Sequence, residues 1–260
     1  MKKVIIFDLD DTLINDKKSI DNAFRATCGI VNSQHGIDSI QLEKKVREFA
    51  RELYSSYDTY RFTKRIGINP FEGLWGTFVD NGEDFQKLRE IAPVYQLDVW
   101  RMGLREFGIE DEGLAKKLSM AFPMFRKRYA FVFSEVFPVL EQLKEQYQLV
   151  LLTNGSPSLQ RTKLSLSPKL GNYFDSVFIS GDYGIGKPDP SIFQHVLESV
   201  MVEKEEVIMV GDNLHTDILG ANRVGITNVW INRKAIEAVD IRPTFEIRTL
   251  DELTPVLQEL

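Results

Sequence analysis

Three carboxylates crowd into four positions near the start of the chain. Asp8, Asp10 and Asp11 follow the apolar run Val4 to Phe7 in VIIFDLDDTL. Like charges this close repel each other and resist leaving water, so the crowding calls for a compensating partner. Three other segments bear on it: Thr153-Asn154-Gly155, the loop GIGKPDP, whose Lys187 is a cation, and GDNLHTD, which adds Asp212 and Asp217. Singly, each has an ordinary structural reading: a solvated acidic turn, a helix entry, a rigid loop, a helix cap. Together they supply carboxylates, hydroxyls, an amide and an ammonium.

The elements needed to bring these groups together can be read from hydrophobic pattern. Short runs rich in β-branched residues recur at 4–7, 148–152, 177–180, 207–210 and 227–231, with a weaker one at 245–247. Each has the length of a buried strand, and amphipathic helical patterns separate most of them. Such alternation implies an α/β fold, a Rossmann-like doubly wound parallel sheet. In open parallel sheets ligands bind beyond the carboxyl ends of the strands. Asp8, Asp10 and Thr12 follow the first strand, Thr153 and Asn154 the second, Lys187 the third at a short remove, and Asp212 and Asp217 the fourth. The order places all of them on one rim.

The alternation stops between residues 16 and 130, where the pattern is purely helical. Leu42, Val46, Phe49 and Leu53 fall at helical spacing, as do Leu114, Leu118 and Phe122. Pro123 is expected to end or kink the last of these helices. The predicted organisation is an α/β core formed by residues 1–15 and 131–260, with an all-helical domain, 16–130, inserted after the first strand.

Composition narrows the function classes. Lys and Arg number 32 against 38 Asp and Glu, a net charge of −6. With no long basic run, nucleic acid is not expected as a main partner. Cys28 is the lone cysteine, which rules out an intramolecular disulfide and fits a reducing compartment. Lys2 and Lys3 precede only four apolar residues, too few for a signal peptide, and no stretch is long enough to span a membrane. A cytoplasmic protein is expected; its oligomeric state is not readable. Gly181 to Lys187 matches the G-x-x-x-x-G-K spacing of a nucleotide-binding loop. Pro188 then stands where that motif needs a hydroxyl and a helix start, which excludes an NTPase.

Asp8-Leu-Asp10-Asp-Thr12, Thr153, Lys187 and Gly211-Asp212…Asp217, in this order, resemble the motifs of the haloacid dehalogenase superfamily, in the phosphatase branch with a helical (C1-type) cap. The segments RELYSSYDTY and GINPFEGLWG resemble its YsaA-type bacterial hydrolases. The resemblance implies a Mg²⁺-dependent phosphatase acting on a small phosphorylated metabolite. Asp8, the Asp10 carbonyl and Asp212 would hold the metal, and Asp217 would orient that shell. Asp8 would be the nucleophile and Asp10 the acid and base. Thr153, the Asn154 backbone and Lys187 would bind the phosphoryl oxygens. Asp11 lies at the variable position of the motif, and His215 is expected to face solvent.

The same motifs leave room for a phosphomutase, or for a phosphonate hydrolase using a Schiff-base lysine such as Lys17, Lys18 or Lys64. A 2-haloacid dehalogenase fits less well, because displacing halide from carbon leaves Asp10 without a leaving-group oxygen to protonate. Phosphoserine, sugar phosphates and nucleoside monophosphates all remain open as substrates.

Overall fold

The computed structural model describes residues 3–260; Lys2, one of the two lysines that precede the first apolar run, lies outside the described residues. Six strands form a single sheet: β1 (Val4–Phe7), β2 (Gln148–Thr153), β3 (Ser176–Ile179), β4 (Val207–Gly211), β5 (Thr227–Ile231) and β6 (Phe245–Ile247). Their order is β3-β2-β1-β4-β5-β6, and every neighbouring pair is parallel. This is the doubly wound order in which the winding reverses between β1 and β4. Asp8 and Asp212, the residues that follow those two strands, therefore flank the switch point.

Alternation along the strands divides two buried faces. Val4, Ile6, Val150, Leu152, Val207 and Met209 pack with Ile192, Phe193 and Val196 of a single helix. The intervening Ile5, Phe7, Leu149, Leu151, Ile208 and Val210 are also fully buried. A parallel sheet needs both faces covered, and these continuous apolar runs meet that need.

Between β1 and α7 (Val136–Leu143), which itself precedes β2, the described residues form six helices: α1 (Asp16–His35), α2 (Ser39–Ser56), α3 (Tyr60–Ile66), α4 (Pro70–Gly73), α5 (Glu83–Arg105) and α6 (Glu112–Arg128). Asp38 caps α2 by accepting from the Ile40 amide at 2.8 Å. Its buried stripe is Leu42, Val46, Ala50 and Tyr54, with Phe49 and Leu53 half-buried beside it. Phe24, Trp100 and Phe122 meet ring against ring at the centre of this helical core. Pro123 does not end α6, which continues to Arg128. Proline removes one backbone hydrogen bond, but Leu118 and Phe122 before it and Arg126 after it are all buried and hold the helix through the gap.

Later in the chain come α7 (Val136–Leu143), α8 (Pro157–Ser165), α9 (Pro168–Gly171), α10 (Ser180–Tyr183), α11 (Pro190–Val200), α12 (Leu219–Val224) and α13 (Leu253–Gln258). Among the described residues, no helix is long and apolar enough to cross a membrane.

The chain divides into two compact units. One comprises Met1–Asn15, Val132–Gly155 and Ser167–Leu260; the other comprises Asp16–Phe131 and Ser156–Leu166. The helical unit thus includes α8, which the sequence boundaries do not assign to it. The bonds that hold α8 there are explicit. Lys163 pairs with Glu72 at 2.8 Å, both side chains about 3% exposed. The Ser156 hydroxyl and the Ser158 amide each donate to the Asp80 carboxylate at 2.6 Å. Leu159 joins the helical core. Asp16, at the start of the unit, pairs with the buried Arg126 at 2.6 Å.

Candidate active site

β1 carries Asp8 to the sheet's rim. The Asp8 amide donates to the Val210 carbonyl at 3.0 Å, extending the β1–β4 ladder by one residue. The chain then turns tightly. The Asp11 amide donates to the Ile14 carbonyl at 2.7 Å, with Asp11 at φ 59°. Aspartate is one of the few residues besides glycine that visits this left-handed region, so Asp11 has a backbone role in the turn. Thr12 is fully buried, and its hydroxyl accepts from the Asp212 amide at 3.0 Å.

β4 ends at Gly211, whose lack of a side chain is required. A Cβ there would lie 2.2 Å from Oδ2 of Asp217. The chain next forms a π-helical turn, Leu214–Ile218, with Asn213 as its cap. This wider turn brings Asp217 back beneath the strand end, where it is 1% exposed and accepts from the Asn213 amide at 3.0 Å. Such π-turns recur at functional sites. Asp8, Asp212 and Asp217 each offer an oxygen, and the three oxygens lie within 4.8 Å of one another. The Asp10 side chain is outside this set.

Lys187 reaches the same place from the loop after α10. Its Nζ donates to Asp8 Oδ1 at 2.7 Å and to the Leu152 carbonyl at 2.7 Å, and pairs with Asp217 Oδ1 at 2.8 Å. Asn154 locks that loop reciprocally. Its Oδ1 accepts from the Lys187 amide and its Nδ2 donates to the Lys187 carbonyl, both at 2.8 Å. Thr153, at the end of β2, is fully buried. Lys187 thus joins the carboxylates directly, Asn154 holds the Lys187 loop, and Thr153 precedes Asn154 at the end of β2.

The electrostatics follow from burial. Burial pushes the Asp8 carboxyl up to about 6; Lys187 pulls it down and Asp217 pushes it further up. Burial is also the main reason that Asp212 is raised to about 9, reinforced by Asp8, Asp217 and Asp11 and opposed by Lys234. Burial alone would lower the Lys187 ammonium, but Asp217 and Asp8 reverse this and hold it above the usual lysine value. One buried ammonium therefore pairs with two carboxylates, Asp8 and Asp217, and Asp212 beside them has no such partner from Lys187.

A family model for haloacid dehalogenase-like hydrolases matches residues 2–225. The chain belongs to the haloacid dehalogenase-like hydrolase family. A relative of this hydrolase is a phosphoserine phosphatase of Thermus thermophilus, 35% identical over 232 residues and covering 89% of each chain. Among solved structures, the magnesium-bound HAD-hydrolase YfnB of Bacillus subtilis has a similar fold, with a TM-score of 0.67 at 23% identity over 98% of both chains. A 2-haloacid dehalogenase of Pseudomonas syringae is similar at a TM-score of 0.61 and 25% identity, over 100% of this chain and 99% of that one. The fold therefore does not by itself choose a reaction, and the side chains at the rim of this hydrolase must.

Several of those side chains carry no signal in the sequence. The Trp230 indole donates to the Asp212 carbonyl at 2.8 Å, and Arg233 donates to the Thr12 carbonyl at 3.0 Å. Both come from β5 or its exit, where no motif marks them. His215 is exposed, and His195 packs its ring against Tyr183 at 4.4 Å.

Proposed function

We propose that this hydrolase is a Mg²⁺-dependent phosphatase that cleaves a small-molecule phosphate monoester through an aspartyl-phosphate on Asp8. The observation that carries the reading is the cluster of Asp8, Asp212 and Asp217, the first and last of them buried and paired with Lys187, with a second acid, Asp10, two residues beyond Asp8. The phosphatase relative at 35% identity supports it. In this reading residues 1–15 and 131–260 form the catalytic domain and residues 16–130 its cap.

The donor set suits Mg²⁺, a hard cation that prefers carboxylate and carbonyl oxygens. Asp8, Asp212 and the Asp10 carbonyl would hold it, with Asp217 orienting the shell. When bound, it neutralises the excess negative charge and polarises a phosphoryl oxygen.

The chain's own residues account for the remaining chemistry. An Asp8 carboxylate oxygen attacks phosphorus in line with the ester oxygen; the aspartyl O–P bond forms as the ester P–O bond breaks. The electron pair leaves on the alkoxide, which Asp10 protonates. Asp10, now a carboxylate, takes a proton from water, whose oxygen displaces Asp8 and releases inorganic phosphate. Lys187, Thr153 and the Asn154 backbone bind the equatorial oxygens, where positioned charge contributes most.

Asp10 also separates this reading from dehalogenation, in which a displaced halide needs no proton. A phosphomutase or a phosphonate hydrolase would use the same rim. Of the lysines a phosphonate hydrolase could use, Lys17 is paired with Asp21 at 2.7 Å. The deciding assay is phosphate release from a panel of phosphate esters that includes phosphoserine. Turnover should require Mg²⁺, stop with EDTA and vanish in Asp8→Asn. Metal-independent halide release from 2-haloacids, or full turnover by Asp8→Asn, would overturn the assignment.

A further inference from the structure

Thr12 is where three groups of the α/β unit meet. It lies in the turn that follows Asp8, and its hydroxyl accepts from the Asp212 amide at 3.0 Å. Its carbonyl accepts from Nη2 of Arg233 at 3.0 Å. The position of this one residue therefore sets the separation between the loop after β1 and the loop after β4, which carry two of the three clustered carboxylates.

Arg233 is itself held on two sides. Nη1 donates to Glu135 Oε1 at 2.6 Å, and the guanidinium lies over the Phe133 ring, 3.6 Å from its centroid. The two charged side chains are only 17% and 16% exposed. Glu135 and Phe133 belong to the segment leading into α7, which is pinned to the loop after β1 where the Phe133 amide donates to the Leu13 carbonyl at 3.1 Å. The neighbouring Asn232 amide donates to the Ile247 carbonyl at 2.8 Å, fixing the exit of β5 against β6. A planar guanidinium can stack on a ring while its two outer nitrogens donate in different directions; a lysine ammonium cannot.

We propose that Arg233, oriented by Glu135 and Phe133, is a positioning residue that sets the spacing of the Asp8 and Asp212 loops through Thr12, and so tunes the affinity of the site for a divalent cation. Arg233 touches none of the candidate cation ligands. Its direct bond to the loop after β1 is the one to the Thr12 carbonyl, which distinguishes it from an ordinary stabilising ion pair. The inference rests on the Mg²⁺-dependent reading of the site.

The test is calorimetric titration of metal-free protein with Mg²⁺ alone, for wild type, Arg233→Met and Arg233→Lys, beside thermal melts and phosphate-release kinetics. Groups that orient metal ligands from behind typically change affinity by 10–100-fold. Arg233→Met should raise the Mg²⁺ dissociation constant by about tenfold or more and lower kcat similarly, with KM for the ester within about twofold. Arg233→Lys, which keeps a charge for Glu135 but not the bond to Thr12, should melt close to wild type and still bind Mg²⁺ about tenfold more weakly. It decides the question if Arg233→Met fails to fold. Wild-type Mg²⁺ affinity in Arg233→Lys, or in a folded Arg233→Met that merely melts lower, would overturn the proposal. Failure of the wild-type protein to bind Mg²⁺ would instead bring down the reading of the site, and this inference with it.

Discussion

At the residue scale, the folded chain holds protons on groups that an unfolded chain would ionise. Asp8 sits at about 6 and Asp212 at about 9, whereas a free aspartyl carboxyl titrates at about 4. These two groups therefore hold more protons folded than unfolded between about pH 4 and 9, and the stability they contribute falls as pH rises through that window. A cation entering the site must displace those protons. Mg²⁺ affinity should accordingly climb from pH 6 to pH 9, by up to about tenfold per pH unit for each proton displaced. Proton release should appear in calorimetry as a dependence on the buffer's ionisation heat. The metal-free protein should melt at progressively lower temperature over the same range, and Mg²⁺ should restore it most at the alkaline end. Affinity that stays flat with pH, without proton release, would contradict the raised values.

At the element scale, α8 is the instructive case. Lys163 and Glu72 lie 91 residues apart and pair while almost wholly buried. Removing one partner strands a buried charge, which typically costs about 3–5 kcal/mol, whereas removing both costs far less. Lys163→Met should therefore destabilise by about that amount in urea unfolding, and adding Glu72→Gln should recover a large part of it. Gln is the right second change, because the Glu72 side chain also accepts from the Asn69 amide at 2.9 Å and closes the cap of α4. Simple addition of the two losses would exclude the pairing as the source. None of this is legible beforehand: Lys163 in PSLQRTKLS reads as an ordinary surface lysine, and nothing local announces Glu72. The strands differ, because β-branched runs such as Val4 to Phe7 and Val207 to Val210 state their own burial. The motif residues at the strand ends are legible for the same reason, since a parallel sheet aims all its carboxyl ends at one rim. Trp230 and Arg233 act through backbone carbonyls, and a carbonyl imposes no residue type that a pattern could reveal. Pro123 does not end α6, because burial on both sides carries the helix past it.

At the scale of the whole molecule, each unit has its own hydrophobic core. Cys28 lies fully inside the helical one, and burial pushes its thiol up to about 12. Neither exposure nor thiolate character favours reaction. A thiol reagent such as Ellman's should modify the native protein at least about a hundredfold more slowly than the protein in urea, the rate following opening of the helical core. Fast labelling under native conditions would mean that this core opens readily. With a lone cysteine in the sequence, the signal reports the helical unit alone, whereas Mg²⁺ titration reports the α/β unit.

The membership of α8 also bears on how this protein can be cut. Because Ser156–Leu166 belongs with the helices, the chain passes from one unit to the other four times, not twice. Joining Asn15 directly to Val132 would remove Glu72, Asp80 and Asp16 together, leaving Lys163, Ser156 and Ser158 without the partners that hold them. Leu159 would lose its core as well. A minimal catalytic core made by a single excision would carry an orphaned charged helix immediately after Thr153 and Asn154. Trimming this hydrolase requires α8 to be redesigned in the same step, with Lys163 replaced and Leu159 made polar.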